Sequence, residues 1–169
     1  QIAKIKGARA VGIAGGPEKC AYIVERFGFD AAIDYKNDDI MAAIKATCPD
    51  GVDVYFDNVG GAILDAALAR LADRARVVIC GAIAGYNDPR GFRGPRNYMN
   101  LLVKRARMEG FVLFDYRDRY AEGTAQLATW MAEGKLHLDE HIVEGIEHFP
   151  EAFLRLFSGD KRGKLLLAV

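Results

Sequence analysis

Short apolar segments alternate with helical ones along most of this chain, and that alternation constrains its fold more than any other feature. Ala8 to Ala14 reads as a strand, Pro17 to Phe27 as an amphipathic helix, Ala31 to Asp34 as a short strand and Asp38 to Thr47 as a helix. Val52 to Asp57 follows as a strand, Ala62 to Ala72 as a helix, Arg76 to Gly81 as a strand, Tyr98 to Arg105 as a helix and Met108 to Phe114 as a strand. Such an order implies an α/β fold, a Rossmann-like parallel sheet with helices on both faces. Strands buried on both faces read as continuous apolar runs, and Val77-Val78-Ile79-Cys80 is one. Further on, Tyr120 to Glu133 is expected to be a helix with Trp130 as a core anchor. Ile142 to Ile146 reads as a strand, Pro150 to Phe157 as a helix and Lys164 to Val169 as a terminal strand.

With 169 residues, 51% of them hydrophobic, and 23 basic against 23 acidic side chains, the composition is that of a cytoplasmic globular domain without charge bias. It points to neither nucleic acid nor membrane as a partner, and no apolar run approaches the roughly 20 residues that span a bilayer. Cys20, Cys48 and Cys80 are too few and too scattered for a disulfide framework or a paired-cysteine metal site. Two of the three histidines, His137 and His141, have the spacing of helical zinc ligands, but they flank strand-like residues, so no metal is expected.

The segment Val11-Gly-Ile-Ala-Gly-Gly-Pro-Glu-Lys19 carries the sharpest chemical signal. In a dinucleotide-binding βαβ unit an acidic residue at the end of the second strand accepts hydrogen bonds from the adenosine 2′-hydroxyl. Ala14, Gly15 and Gly16 supply no carboxylate, and Lys19 sets a cation beside a helix N-terminus that already favours anions. That combination suits a 2′-phosphate and therefore NADP over NAD; the plainer reading is a strand-turn-helix junction with a solvated lysine. Between Gly81 and Asn97 lies a glycine-, proline- and arginine-rich loop at the carboxyl end of a strand, where open α/β sheets bind ligands.

Gln1-Ile-Ala-Lys-Ile-Lys-Gly7, Gly16-Pro-Glu-Lys19, Phe27-Gly-Phe-Asp30, Asp34-Tyr-Lys36 and Phe56-Asp-Asn-Val-Gly-Gly61 occur in this order. Cys80-Gly-Ala-Ile83, Gly94-Pro-Arg-Asn-Tyr98, Arg107-Met-Glu-Gly-Phe111 and Gly159-Asp160 with Gly163-Lys164 continue the series. Together they resemble the zinc-independent medium-chain dehydrogenase/reductases, within them the prostaglandin reductase, alkenal double-bond reductase and curcumin reductase group, in a bacterial form. The resemblance implies an NADP-dependent reduction of the carbon–carbon double bond in α,β-unsaturated ketones or aldehydes. It also implies that residues 1–134 are a nucleotide-binding domain lacking its first strand and glycine-rich loop. Residues 135–169 would then be a segment returning to a GroES-like catalytic domain.

In agreement, no G-x-G-x-x-G follows any strand, and residues 1–6 read as the last turns of a helix. Loss of a middle strand would leave a gap between the strands at 8–14 and 52–57. The expected outcomes are a homodimer, strand swapping or closure of the gap, and no reductase activity for this length of chain alone.

Carried over residue by residue, the resemblance assigns cofactor binding to Gly16, Lys19, Tyr35 and Asn58, to Gly81, Ala82 and Ile83, and to Phe111, Val112 and Leu113. Gly16 would let the backbone approach a phosphate, Lys19 and Tyr35 would hold the 2′-phosphate, Asn58 a ribose or phosphate, and Gly81 to Ile83 with Phe111 to Leu113 the nicotinamide half. Tyr98 and Tyr86 are the candidate catalytic hydroxyls for the substrate carbonyl. Two departures stand out: related enzymes carry a tyrosine where this chain has Val103, and Lys161-Arg162 replaces an asparagine near the C-terminus. A quinone oxidoreductase of the same superfamily and a non-catalytic nucleotide-binding fragment remain the alternative readings. A short-chain dehydrogenase is disfavoured, because no tyrosine is followed by a lysine four residues later.

Overall fold

The computed structural model describes residues 1–89, 91, 93–158 and 163–169. Gly159, Asp160, Lys161 and Arg162, which enter the sequence argument above, lie outside the described residues. The chain divides into two compact units, Gln1–Ala32 with Glu122–Val169, and Ile33–Ala121. Parallel pairing prevails in both, so the architecture is α/β. No helix among the described residues is long and apolar enough to cross a membrane.

In the first unit, α1 (Ile2–Ile5) ends before Gly7, as its spacing implies. β1 is Val11–Ala14, shorter than the expected 8–14. The reason is local: the Ala8 N–H caps α1 by donating to the Ala3 carbonyl (2.9 Å), and the Ala10 N–H donates to the Asp30 carboxylate (2.7 Å). Neither is left for a ladder. α2 (Pro17–Phe27) has the expected bounds because both of its signals are strong. Pro17 opens the first turn with its φ already helical, and Gly28 closes the last in the left-handed conformation.

The same unit is tied together by polar contacts between segments far apart in sequence. Arg26 grips Asp139 through two nitrogens (2.7 and 3.1 Å to Oδ1), and the Tyr22 hydroxyl also donates to that carboxylate. The Arg26 hydrogen bond first, and the Tyr22 hydroxyl second, hold the Asp139 carboxyl down at about 2. The Gln1 amide and the His137 backbone exchange two hydrogen bonds (2.9 and 2.8 Å). β6 (Glu140–Glu144) and β7 (Lys164–Ala168) pair in parallel around α7 (Phe149–Ser158). β6 begins earlier and stops earlier than the expected 142–146, because Gly145 turns the chain and donates to Ala168 (2.9 Å). Trp130, on α6 (Tyr120–Ala132), is half-buried under the Lys6 ammonium (5.4 Å to the ring centroid) and is no deep core anchor.

In the second unit, α3 (Ile40–Thr47) starts two residues later than expected, at an Asp39 cap whose carboxylate accepts the Ala42 N–H (3.0 Å). β3 (Val52–Asp57), β4 (Leu71–Ile79) and β5 (Arg107–Gly110) form one parallel sheet in that order. α4 (Gly61–Leu68) packs its apolar side on it, and Leu64, Leu68, Leu71, Ala75 and Val77 make the buried cluster.

The expected helix at 62–72 and strand at 76–81 are corrected here. Leu64, Leu68, Leu71 and Ala75 are spaced four, three and four apart, which reads as a helical stripe. The helix nevertheless stops at Leu68, and Leu71 pairs with Val52 before β4 bulges out and resumes at Arg76 opposite Val54. Burial of the stripe is real, but two different elements supply it.

Two further boundaries move. The expected helix at 98–105 is a 3-10 turn, Arg96–Tyr98, followed by α5 (Met99–Val103). The expected strand at 108–114 ends at Gly110, after which Leu113–Arg119 winds into 3-10 turns. β1 and β2 (Ala31–Asp34) form a sheet separate from β3–β4–β5. β1 and β3 are not paired with one another among the described residues.

Candidate functional site

The best-built junction in the second unit is centred on Asp57, at the carboxyl end of β3. Only 1% exposed, its carboxylate accepts the Val59 N–H (2.9 Å), the Gly60 N–H (3.0 Å) and the Tyr55 hydroxyl (3.1 Å). The chain is thereby folded back at once into α4. Burial first, and the Asp57 charge second, push the Tyr55 hydroxyl upward, so it stays protonated as a donor. Gly60 has φ +69 and ψ −154, a conformation essentially reserved for glycine, and its Cβ position lies only 3.4 Å from the Ala82 methyl.

The turn after β4 is hung on the same junction. The Asp57 carbonyl accepts the Cys80 (2.8 Å) and Gly81 (3.1 Å) N–H groups, the Asn58 carbonyl accepts Ile83 (3.2 Å), and the Val59 carbonyl accepts Ala84 (3.0 Å). Gly81, Ala82 and Ile83 are thus held beside Asn58 and Gly60, as neighbours on one rim. The Tyr86 hydroxyl stands over Gly81, 3.6 Å from where a Cβ would be. Ile83 and Tyr86 are about 60% exposed, and the Asn58 side chain is exposed as well. Four of the expected residues after β3 and β4 therefore share one surface with a tyrosine hydroxyl.

The other expected residues of this unit are placed by different contacts. Tyr98, more than half exposed, ends a 3-10 turn docked to α4, where Asp65 accepts the Arg96 (2.7 Å) and Asn97 (3.1 Å) N–H groups. The Phe111 N–H extends the ladder to Ile79 (2.8 Å), and its ring lies between Phe56 (6.2 Å) and Tyr116 (5.4 Å, stacked). Val112 and Leu113 leave the strand and are exposed, since the ladder ends at Gly110. Tyr35 follows β2 and is exposed, while Asp34 before it is buried and ties the turn through Lys36 N–H (3.0 Å) and Asn37 Nδ2 (2.6 Å).

Gly16 and Lys19 belong to the first unit. Gly16 caps α2 with φ +95 and ψ 152, again glycine's own region, and nothing stands within 4 Å of its Cβ position. The N-cap residue itself makes no side-chain hydrogen bond, and half-buried Lys19 lies in the first turn. Helix N-termini favour anions, and a cation in the first turn adds to that preference.

Among the described residues no group of three or more His, Cys, Asp or Glu side chains could hold a metal ion. His141 instead meets Arg155 (3.2 Å) and His148 meets Glu151 (3.3 Å). Cys20, Cys48 and Cys80 form no disulfide among the described residues. Reasoning from sequence gave Asp57 no role. Its signal was present, an Asp at a strand end before Asn-Val-Gly-Gly, where a carboxylate can collect the N–H groups of the following turn.

A family model described as zinc-binding dehydrogenase matches residues 1–130. A relative from Bacillus subtilis (strain 168), provisionally named an NADP-dependent oxidoreductase, is 52% identical over 172 residues, covering 100% of this chain and 51% of the relative. The NADPH-dependent curcumin reductase of Escherichia coli (strain K12) is 39% identical over 174 residues, covering 100% of this chain and 50% of that enzyme. The crystal structure of CurA from Vibrio vulnificus in complex with NADPH aligns with a TM-score of 0.90 at 41% identity, over 99% of this chain and 52% of CurA. The chain spans about half the length of the curated relatives it matches.

Proposed function

The chain belongs to the zinc-binding dehydrogenase family, and from that premise we propose that it is part of an NADPH-dependent reductase of carbon–carbon double bonds conjugated to a carbonyl. The observation that carries this reading is the Asp57 junction. It sets the carboxyl ends of two neighbouring parallel strands, with their glycine turns, side by side at the start of α4, where open α/β sheets take nucleotides. The curcumin reductase and the NADPH-bound CurA among its relatives support the same cofactor and substrate class.

Each unit is assigned its own residues. In the first, Gly16 lets the backbone approach a phosphate, and Lys19 supplies a charge-assisted hydrogen bond to the 2′-phosphate. In the second, Tyr35 adds a phenolic hydrogen bond, Asn58 an amide for a ribose or phosphate, and Gly81, Ala82 and Ile83 backbone groups for the nicotinamide half. Phe111, Val112 and Leu113 supply its apolar wall. The bound cofactor would supply a hydride for the β-carbon of the substrate. What the chain adds is orientation and a donor for the carbonyl oxygen, where negative charge develops. Between the two candidate donors the geometry favours Tyr86, whose hydroxyl stands over Gly81, with Tyr98 as the second.

Replacing Lys19 by Ala in the full-length enzyme is expected to weaken NADPH about ten- to a hundredfold while leaving NADH unchanged, the loss of one charge-assisted contact of about 1–3 kcal/mol. An unaltered preference, read by fluorescence titration of both cofactors, removes Lys19 from the phosphate site.

We also propose that the chain self-associates through β3. That strand pairs only with β4 among the described residues, and Val54 and Phe56 on it are 57% and 54% exposed. A bare strand edge with apolar side chains is a ready template for another strand. Sedimentation of the 169-residue chain should give a dimer that Phe56→Lys converts to a monomer; a monomeric parent chain rules this interface out.

A further inference from the structure

A second polar site lies at the opposite end of the β3–β4–β5 sheet from the Asp57 junction. Arg74, Arg76, Arg105 and Arg107 line a single open cavity of about 550 Å³. Arg76 and Arg107 are direct register partners on β4 and β5, so their side chains leave the same face of the sheet a strand spacing apart. Like charges placed directly opposite one another destabilise a sheet. Arg74 and Arg105 are the only residues other than glycine with positive φ among those described (62° and 51°), a left-handed conformation that bulky side chains rarely adopt. The bulge in β4 sets the first of them, and its N–H is held by the Lys104 carbonyl (2.7 Å).

The protein does little to neutralise this cluster. Asp73 pairs with Arg105 (2.6 Å) and Lys104 (3.2 Å), and its carboxyl is lowered by the two cations. Arg74, Arg76 and Arg107 have no ion pair among the described residues. Glu109 follows Arg107 on the same face but makes no ion pair with it. Among the described residues Asp73 is therefore the one carboxylate in ion-pair contact with any of these five cations, in a chain whose 23 basic and 23 acidic residues otherwise cancel. Guanidinium groups keep their charge at any physiological pH and present flat forks that match phosphate oxygens two at a time. Four forks exceed what one phosphate can accept, and the cavity volume lies in the range of small-molecule sites.

We propose that this cavity is an anion site for a small molecule carrying at least two phosphate groups. It is separate from the Asp57 junction and does not depend on the reductase reading. Four arginines converge on one hollow, and the missing counter-charge comes from the ligand.

Titration calorimetry of the 169-residue chain with inorganic tripolyphosphate, at constant ionic strength set by chloride, tests the site. Tripolyphosphate should bind at least tenfold more tightly than orthophosphate. The double substitution Arg76→Gln with Arg107→Gln should weaken it tenfold or more, and Lys45→Gln on α3, an exposed charge outside the cavity lining, should leave it unchanged. Should the double variant fail the circular-dichroism check for folding, Arg107→Gln alone, with an expected several-fold loss, replaces it. No measurable heat with tripolyphosphate, equal losses in the arginine and Lys45 variants, or loss in Lys19→Ala with retention in the arginine variant would each overturn the proposal.

Discussion

Asp57→Ala is expected to be the most damaging single substitution in the second unit, lowering stability by about 3–5 kcal/mol. It leaves the N–H groups of Val59 and Gly60 and the Tyr55 hydroxyl without their acceptor, at about 1–3 kcal/mol for each group that water cannot reach. Asp57→Asn, which keeps one oxygen, should lose about half as much. Urea denaturation followed by circular dichroism measures both. NADPH affinity should fall with stability, because the turn carrying Gly81 to Ile83 hangs on the same backbone. A midpoint within error of the parent would mean that Asp57 does not organise the junction.

Leu68→Ala tests the core in the same way. Leu68 is fully buried in the cluster with Leu64, Leu71, Ala75 and Val77, so its truncation combines lost apolar burial with a cavity, about 2–5 kcal/mol. Leu154, on α7 and 65% exposed, is the matched control, and its replacement by Ala should change stability by less than about 0.5 kcal/mol. Equal midpoints for the two variants would contradict the burial that places the core beneath α4.

Both predictions rest on features that differ in how well the sequence announces them. The bounds of α2 are legible because Pro17 and Gly28 act locally, each through its own φ. Those of β3 are legible because Val52 to Tyr55 is short, β-prone and closed by the turn at Asp57. The start of β4 is not, because Leu68, Leu71 and Ala75 keep a helical spacing while the backbone beneath them changes from helix to bulged strand. Hydrophobic periodicity reports which residues are buried, and one stripe can be buried by two kinds of backbone. The end of β5 is not legible for a related reason: Phe111 to Phe114 is apolar enough for a strand, but the ladder with β4 ends at Ile79, whose carbonyl accepts the Phe111 N–H.

From sequence alone, the alternation of strands and helices, the parallel α/β class and the bounds of α2 were determined, since each follows from properties of residues within a few positions of one another. The tertiary structure decided what depends on distant partners. Asp57 became the anchor of two turns because β4 ends beside β3, and four arginines became one cavity because a bulge and a ladder register brought Arg74 and Arg76 against Arg105 and Arg107. Charges some thirty residues apart in the chain carry no mutual signal until strand pairing sets them a few ångströms apart.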